Sequence, residues 1–170
     1  MVAVSAMPKP QIALDTNVLL DYANDQDFVI ECFVAIKKHL PDSQIFILPT
    51  VIDELNHHAK RRGQEGRLAL KALKTILVWG FKPISVVPVG NGIVEETARK
   101  IRSAGLLPDE EINDSFIIAE AALANVGILI SSDSHLKDIN HKELRELLGS
   151  CDLANTTIVP PWAFAKLFGG

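Results

Sequence analysis

Cysteine is scarce. Cys32 and Cys151 are the only two in 170 residues, and they stand in unlike contexts without zinc-ligand spacing. This excludes a disulfide framework and a cysteine-based metal site, and the expectation is two reduced thiols in a cytoplasmic protein. Long apolar runs are missing too. The longest tract, 75–90, is interrupted by Gly80, Lys82, Pro83 and Pro88 and falls short of the ~20 residues that a membrane helix requires. The opening MVAVSAMPKP has neither the cationic start nor the apolar stretch of a secretion signal. Positive charge is not in excess: 17 Lys and Arg stand against 21 Asp and Glu, a net charge of −4. That excludes a protein that coats nucleic acid by bulk charge, so any such contact has to be concentrated on a local face. Internal repeats, low-complexity segments and interdomain linkers are absent as well.

What is present is core-forming material. Hydrophobic residues make up 48% of the chain and charged residues 22%, the balance of one globular domain rather than a disordered chain. The expected domain spans 1–170, with a core at about 11–160 and a short apolar C-terminal tail. Short β-branched runs at 12–14, 45–48, 84–89, 128–131 and 157–159 alternate with longer helical stretches. Helices are expected at 27–39, 49–62, 65–79, 92–104 and 110–125. The first of these runs Phe28, Ile30, Cys32, Phe33, Ile36 and Leu40 along an apolar face, with Asp27 at its start and Lys37, Lys38 and His39 at its end, as the helix dipole favours. Pro49 occupies a first-turn position. Strand followed by helix, repeated with short connections, predicts an α/β fold. The expected form is a three-layer α/β/α sandwich around a parallel five-stranded sheet with right-handed crossovers.

In such a sheet, sites form at the carboxyl ends of the strands, where strand order reverses. Asp15 (IALDTN) ends the first strand and Asp133 (ILISSD) follows the fourth. Either could be a helix N-cap, which Asp favours. Glu54 borders the apolar face of the helix after strand two, whereas Asp53 projects about 100° away. Asp114, framed by Ile112, Phe116 and Ile117, lies at the packing border of an apolar helix. First-turn dipole stabilisation accounts for Asp109, Glu110 and Glu111 more easily than for Asp114. Two strand ends and two helix starts open toward one rim, and four carboxylates gathered there raise one another's pKa unless a cation neutralises them. An all-oxygen ligand set calls for a hard divalent ion, Mg²⁺ or Mn²⁺, and suits phosphodiester hydrolysis. A haloacid-dehalogenase-type phosphatase requires a second Asp where Asn17 stands. A receiver domain requires paired acids after strand one, where Ala13 and Leu14 stand.

At these residues the chain resembles the PIN domain, a metal-dependent nuclease family that includes the toxins of many bacterial toxin–antitoxin pairs. The likeness covers about 11–137, through IALDTNVLLDY, PTVIDEL, INDSFIIAEA and ILISSDSHL in that order. It implies an endoribonuclease acting on single-stranded or structured RNA, with Asp15, Glu54, Asp114 and Asp133 as catalytic metal ligands. Asn17 and Asn113 match accompanying polar positions. An antitoxin partner and a homodimer are compatible with the resemblance. So is a catalytically silent PIN-like module that binds RNA or protein, although such a module is expected to lose one or more of the acids. The last acid departs from the family pattern: Ser134, His135 and Leu136 follow it, where another acid and an aromatic are common. Residues 63 to 80 and the tail from Asp138 onward exceed a compact toxin domain.

Lys60, Arg67, Lys71 and Lys74 fall near one helical stripe, with Arg61 and Arg62 beside its start. The stripe is either a solvated face or a guide for a phosphate backbone toward the acids. His57 and His58 read as polar helix surface rather than ligands, since no partner motif completes a site. Trp79, Phe81 and the tail residues Trp162, Phe164, Leu167 and Phe168 read as core packing or subunit contact rather than base-stacking platforms.

Overall fold

A computed structural model describes residues 10–168. The reading of the opening segment as no secretion signal therefore falls, apart from Pro10, outside the described residues, as do the side chain of Phe168 and the two ends of the expected 1–170 domain. The strands are β1 (Gln11–Leu14), β2 (Gln44–Ile47), β3 (Lys82–Pro83), β4 (Ile128–Ile130) and β5 (Thr157–Val159). Between and after them come α1 (Thr16–Ala23), α2 (Asp27–His39), α3 (Pro49–Ala59), α4 (Gln64–Thr75), α5 (Pro88–Ser103), α6 (Ile112–Leu123), α7 (Ser134–Lys137), α8 (His141–Ser150) and α9 (Pro161–Phe168).

The five strands form one parallel sheet in the order β3-β2-β1-β4-β5, the centre of an α/β/α sandwich. Strand order reverses at β1, which pairs with β2 on one side and β4 on the other. Because the strands are buried on both faces, they are continuous apolar runs rather than alternating ones: Ile12, Ala13, Leu14, Leu129 and Ile130 are fully buried. The register sets Leu14 beside Ile130, so the residues that follow, Asp15 and Ser131, emerge together at the carboxyl rim. Asp15 N–H donates to Ile130 O at 2.9 Å, and Ser131 N–H to Val159 O at 3.1 Å. Backbone pairing thus continues to the point where the acids leave the sheet.

Several boundaries differ from the sequence reading. The run at 84–89 is not a strand. β3 is the two-residue edge strand Lys82–Pro83, and Pro88 opens α5 with Val87 as an extended N-cap, because proline has the φ of a first helical turn and no N–H to lose there. α4 stops at Thr75. Gly80 at φ +83° lets Phe81 N–H reach back to Ile76 O, the left-handed ending that glycine adopts without strain. On α2 the buried face is Val29, Cys32, Phe33 and Ile36, and Ile30 points outward. That spacing, i, i+3, i+4, i+7, is the 3.6-residue stripe. The tail belongs to the fold. α9 packs on α2, with Phe164 buried and the Trp162 ring 6.1 Å from that of Phe28. Among the described residues no helix is long and apolar enough to cross a membrane.

α3 and α4 pack closely because Gly66 has no side chain. A Cβ at this position would stand 2.0 Å from Arg61 O and 3.2 Å from His58 O, both backbone atoms. Gly66→Ala is therefore expected to force the α3–α4 corner apart at about 1–3 kcal/mol, as overpacking does. Gly149→Ala, whose added Cβ meets nothing within 4 Å, gains about 0.5–1 kcal/mol from helix propensity. Paired denaturant melts check both. An unchanged Gly66→Ala midpoint would show that the corner is not tight.

Candidate active site

Asp15 is 3% exposed and both its oxygens are bonded. Oδ1 accepts the Thr16 N–H at 2.7 Å and Oδ2 the Ser131 hydroxyl at 2.6 Å. The capping role and the rim position coincide, since Asp15 is the N-cap of α1. The same is true of Asp133, which caps α7 through Oδ1 alone by accepting from His135 N–H at 2.8 Å and Leu136 N–H at 3.4 Å. Ser131 joins the two acids, accepting the Asp133 N–H at 3.1 Å while donating to Asp15. Neither carboxylate can swing freely.

The other two acids come from helices. Glu54 on α3 and Asp114 in the first turn of α6 are half-buried, and both line the cleft of about 900 Å³ that Asp15 and Asp133 also line. Asn17 and Asn113 stand on its wall as exposed residues. Asp53 reaches the wall too, but is exposed where Glu54 is half-buried. The orientation of α3 is set from across the cleft. Glu120, buried in the middle of α6, accepts Thr50 N–H at 3.0 Å through Oε1 and the Thr50 hydroxyl at 2.9 Å through Oε2. A carboxylate at the first turn of α3 satisfies an orphan donor and the helix dipole together.

Burial first, and like charge second, oppose the ionisation of Asp15 and Asp114. Burial, then the charges of Glu54 and Asp133, raises the Asp15 pKa to about 6 against the pull of its two hydrogen bonds. Burial comes first for Asp114 as well, followed by the charges of Asp15, Asp133, Glu111 and Glu54, and carries it to about 8. Burial also raises Glu120 despite its bonds to Thr50. Asp114 Oδ2 is buried without a hydrogen-bond partner. A carboxylate oxygen buried without a donor, among oxygen ligands whose charges oppose one another, fits a hard divalent cation. Among the described residues, no three His, Cys, Asp or Glu side chains are closed together tightly enough to hold an ion as they stand. The acids frame the cleft rather than converging on a point within it.

The basic stripe stands elsewhere. Lys60, Arg67, Lys71 and Lys74 are exposed and none lines the cleft. Lys71 Nζ donates to Ala23 O at 2.7 Å, tying α4 to the end of α1. The cleft instead takes His57, His58 and Arg61. Three contributors to the site had no functional reading in the sequence, and a fourth, Arg61, was read only as a neighbour of the basic stripe. Ser131 sits within the SSDS run and Thr16 follows the first acid, both adjacent to recognisable acids. Arg61 is seven residues from Glu54, a helical repeat that marks one face. Glu120 carried no local signal, since its partner is 70 residues away.

A family model described as "PIN domain" matches residues 12–142. No curated protein matches the chain. Among solved structures, VapBC2 from Rickettsia felis, bound to a DNA fragment from their promoter, is 17% identical with a TM-score of 0.61, covering 88% of this chain and 98% of that one. VapBC-1 from nontypeable Haemophilus influenzae is 16% identical with a TM-score of 0.56, covering 89% and 98%. FitAcB from Neisseria gonorrhoeae is 16% identical with a TM-score of 0.52, again covering 89% and 98%. These likenesses support the α/β/α fold.

A raised carboxyl pKa in the folded state stabilises the protein at low pH, and that contribution is lost as pH climbs through the folded value. For Asp114 the loss runs from near 4 to about 8. Without metal, Asp114→Asn is therefore expected to melt higher than wild type at pH 8, by several degrees, as about 1–2 kcal/mol would give. The difference should shrink toward zero near pH 4, and saturating Mn²⁺ should restore the wild type at pH 8. Thermal melts across pH with EDTA or Mn²⁺ measure this. Equal melting points at pH 8 would show that the carboxylate is not strained.

Proposed function

Because the chain belongs to the PIN domain family, a family of nucleases, we propose that it is a divalent-metal-dependent endoribonuclease. It hydrolyses phosphodiester bonds of single-stranded or structured RNA, as the toxin of a toxin–antitoxin pair. The observation that carries the reading is that Asp15, Glu54, Asp114 and Asp133 all line one cleft, with Asp114 Oδ2 buried and unpartnered. These four would hold Mg²⁺ or Mn²⁺. When bound, the ion supplies Lewis-acid polarisation of the phosphoryl group and a lower pKa for water.

The chain's own residues supply the preorganisation. Ser131 and Thr16 fix the Asp15 carboxylate, the α7 cap fixes Asp133, and Glu120 holds the first turn of α3 so that Glu54 stays on the cleft wall. Asn17 and Asn113 offer amide groups to the substrate beside Asp15 and Asp114. Water attacks the phosphorus in line and the 3′ oxygen departs. No step requires the substrate's 2′-hydroxyl. His57 and His58 line the cleft, and His58 Nδ1 lies 2.7 Å from Glu65 Oε1. A toxin needs an antitoxin partner, and the assemblies of similar fold named VapBC and FitAcB support a protein partner here.

End-labelled single-stranded RNA with Mn²⁺ is expected to yield 5′-phosphate and 3′-hydroxyl termini. Asp15→Asn or Asp114→Asn should lower cutting by about a hundredfold or more, the scale of losing one electrostatic group at the reacting centre. Mapping the termini decides the matter. A 2′,3′-cyclic phosphate, or cutting that persists in excess EDTA, contradicts the mechanism. RNA binding without cutting by wild type would identify a silent binding module instead.

A further inference from the structure

Among the described residues, eight carboxylates line the cleft against a single guanidinium, that of Arg61. A polyanionic strand entering such a cleft is repelled by Asp53, Glu95, Glu111 and Glu120 as well as by the four acids that an ion would neutralise. Arg61 is placed to counter that repulsion. Glu54, His57, His58 and Arg61 follow one another at offsets 0, 3, 4 and 7, so they share one face, and all four line the cleft. Arg61 continues the helical turn past Ala59, its N–H donating to His58 O at 2.9 Å. It stands at the end of α3, where the helix dipole favours a cation.

The corner is built around it. The bare Cα of Gly66 admits the Arg61 and His58 carbonyls against α4, which fixes the Arg61 backbone. Glu65 Oε1 is 2.7 Å from His58 Nδ1 and 3.7 Å from Arg61 Nη1. The second distance is beyond hydrogen-bond length, so Glu65 orients the guanidinium without using up a donor. The Arg61 side chain is 53% exposed and open to the cleft.

We propose that Arg61 binds a backbone phosphate of the substrate strand flanking the scissile one, with Glu65 as its positioning residue. The proposal rests on the nuclease reading above. It assigns the nucleic-acid contact to the corner of α3 and α4 rather than to the stripe of Lys60, Arg67, Lys71 and Lys74. A planar guanidinium grips a phosphate through paired N–H donors, and a phosphate contact carries no base preference.

The test is steady-state cleavage of an end-labelled oligouridylate in Mn²⁺ at several salt concentrations, using wild type, Arg61→Ala, Arg61→Lys and Glu65→Gln, each checked by thermal melting. Arg61→Ala is expected to raise KM about ten-fold with kcat within about two-fold of wild type. The slope of log(kcat/KM) against log salt should flatten by about one contact. Arg61→Lys should recover most of the loss, and Glu65→Gln should show a smaller rise in KM alone. An unchanged KM and salt slope in Arg61→Ala, beside a wild type that cuts, overturns the assignment while leaving the nuclease reading intact. A matched fall in kcat and melting temperature marks a structural role and overturns it too. A wild type that does not cut in Mn²⁺ sinks the nuclease reading and the role of Arg61 with it.

Discussion

Asp15 is a carboxylate buried at the end of a parallel strand, beside a neighbour that delivers a second acid to the same rim, and the surrounding structure serves to tolerate that placement. Burial and like charge both oppose its ionisation. Two hydrogen bonds, from Thr16 N–H and the Ser131 hydroxyl, work the other way. The pairing of β1 with β4 makes the encounter unavoidable. With Leu14 in register beside Ile130, Asp15 and Ser131 leave the sheet side by side, and Ser131 bonds both to Asp15 and to the backbone of Asp133.

The same economy recurs around the cleft. Ser131 is both the last ladder residue beside β5 and the hydroxyl that joins Asp15 to Asp133. Glu120 caps α3 from the middle of α6, so the helix carrying Glu54 is held by the helix carrying Asp114. Gly66 lets α4 press against the end of α3. Elements that pack the domain therefore also set the angles at which the acids meet, and shifting one helix disturbs the cleft as a whole.

Local pattern was enough where local forces decide. β1, β2, β4 and β5 were legible as β-branched runs, and all four acids as polar residues placed where such runs or helix starts face one rim. β3 was misplaced because the run after Phe81 has strand composition, whereas only Lys82–Pro83 pairs at the sheet edge, 84–87 is irregular and Pro88 opens α5. α8 and α9 were read as excess because their apolar faces acquire meaning only against partners such as α2. Glu120 and Thr50 were silent because nothing in either segment announces a contact across 70 residues. The basic stripe was legible as a periodicity, but periodicity does not say which way a face points. None of its four residues lines the cleft that Arg61 borders.

The central claim is that the strained carboxylates at this rim form the seat of a divalent ion, and the proton balance of binding tests it most directly. Near pH 7, Asp114, with its pKa raised to about 8, is largely protonated without metal and has to give up its proton when the ion enters. Titration calorimetry with Mn²⁺ in buffers of different ionisation enthalpy reads that proton directly. Release of close to one proton by wild type, falling sharply in Asp114→Asn, is the expected result. Tight binding with no proton released, or no binding at all, would contradict the assignment of Asp114 as a ligand.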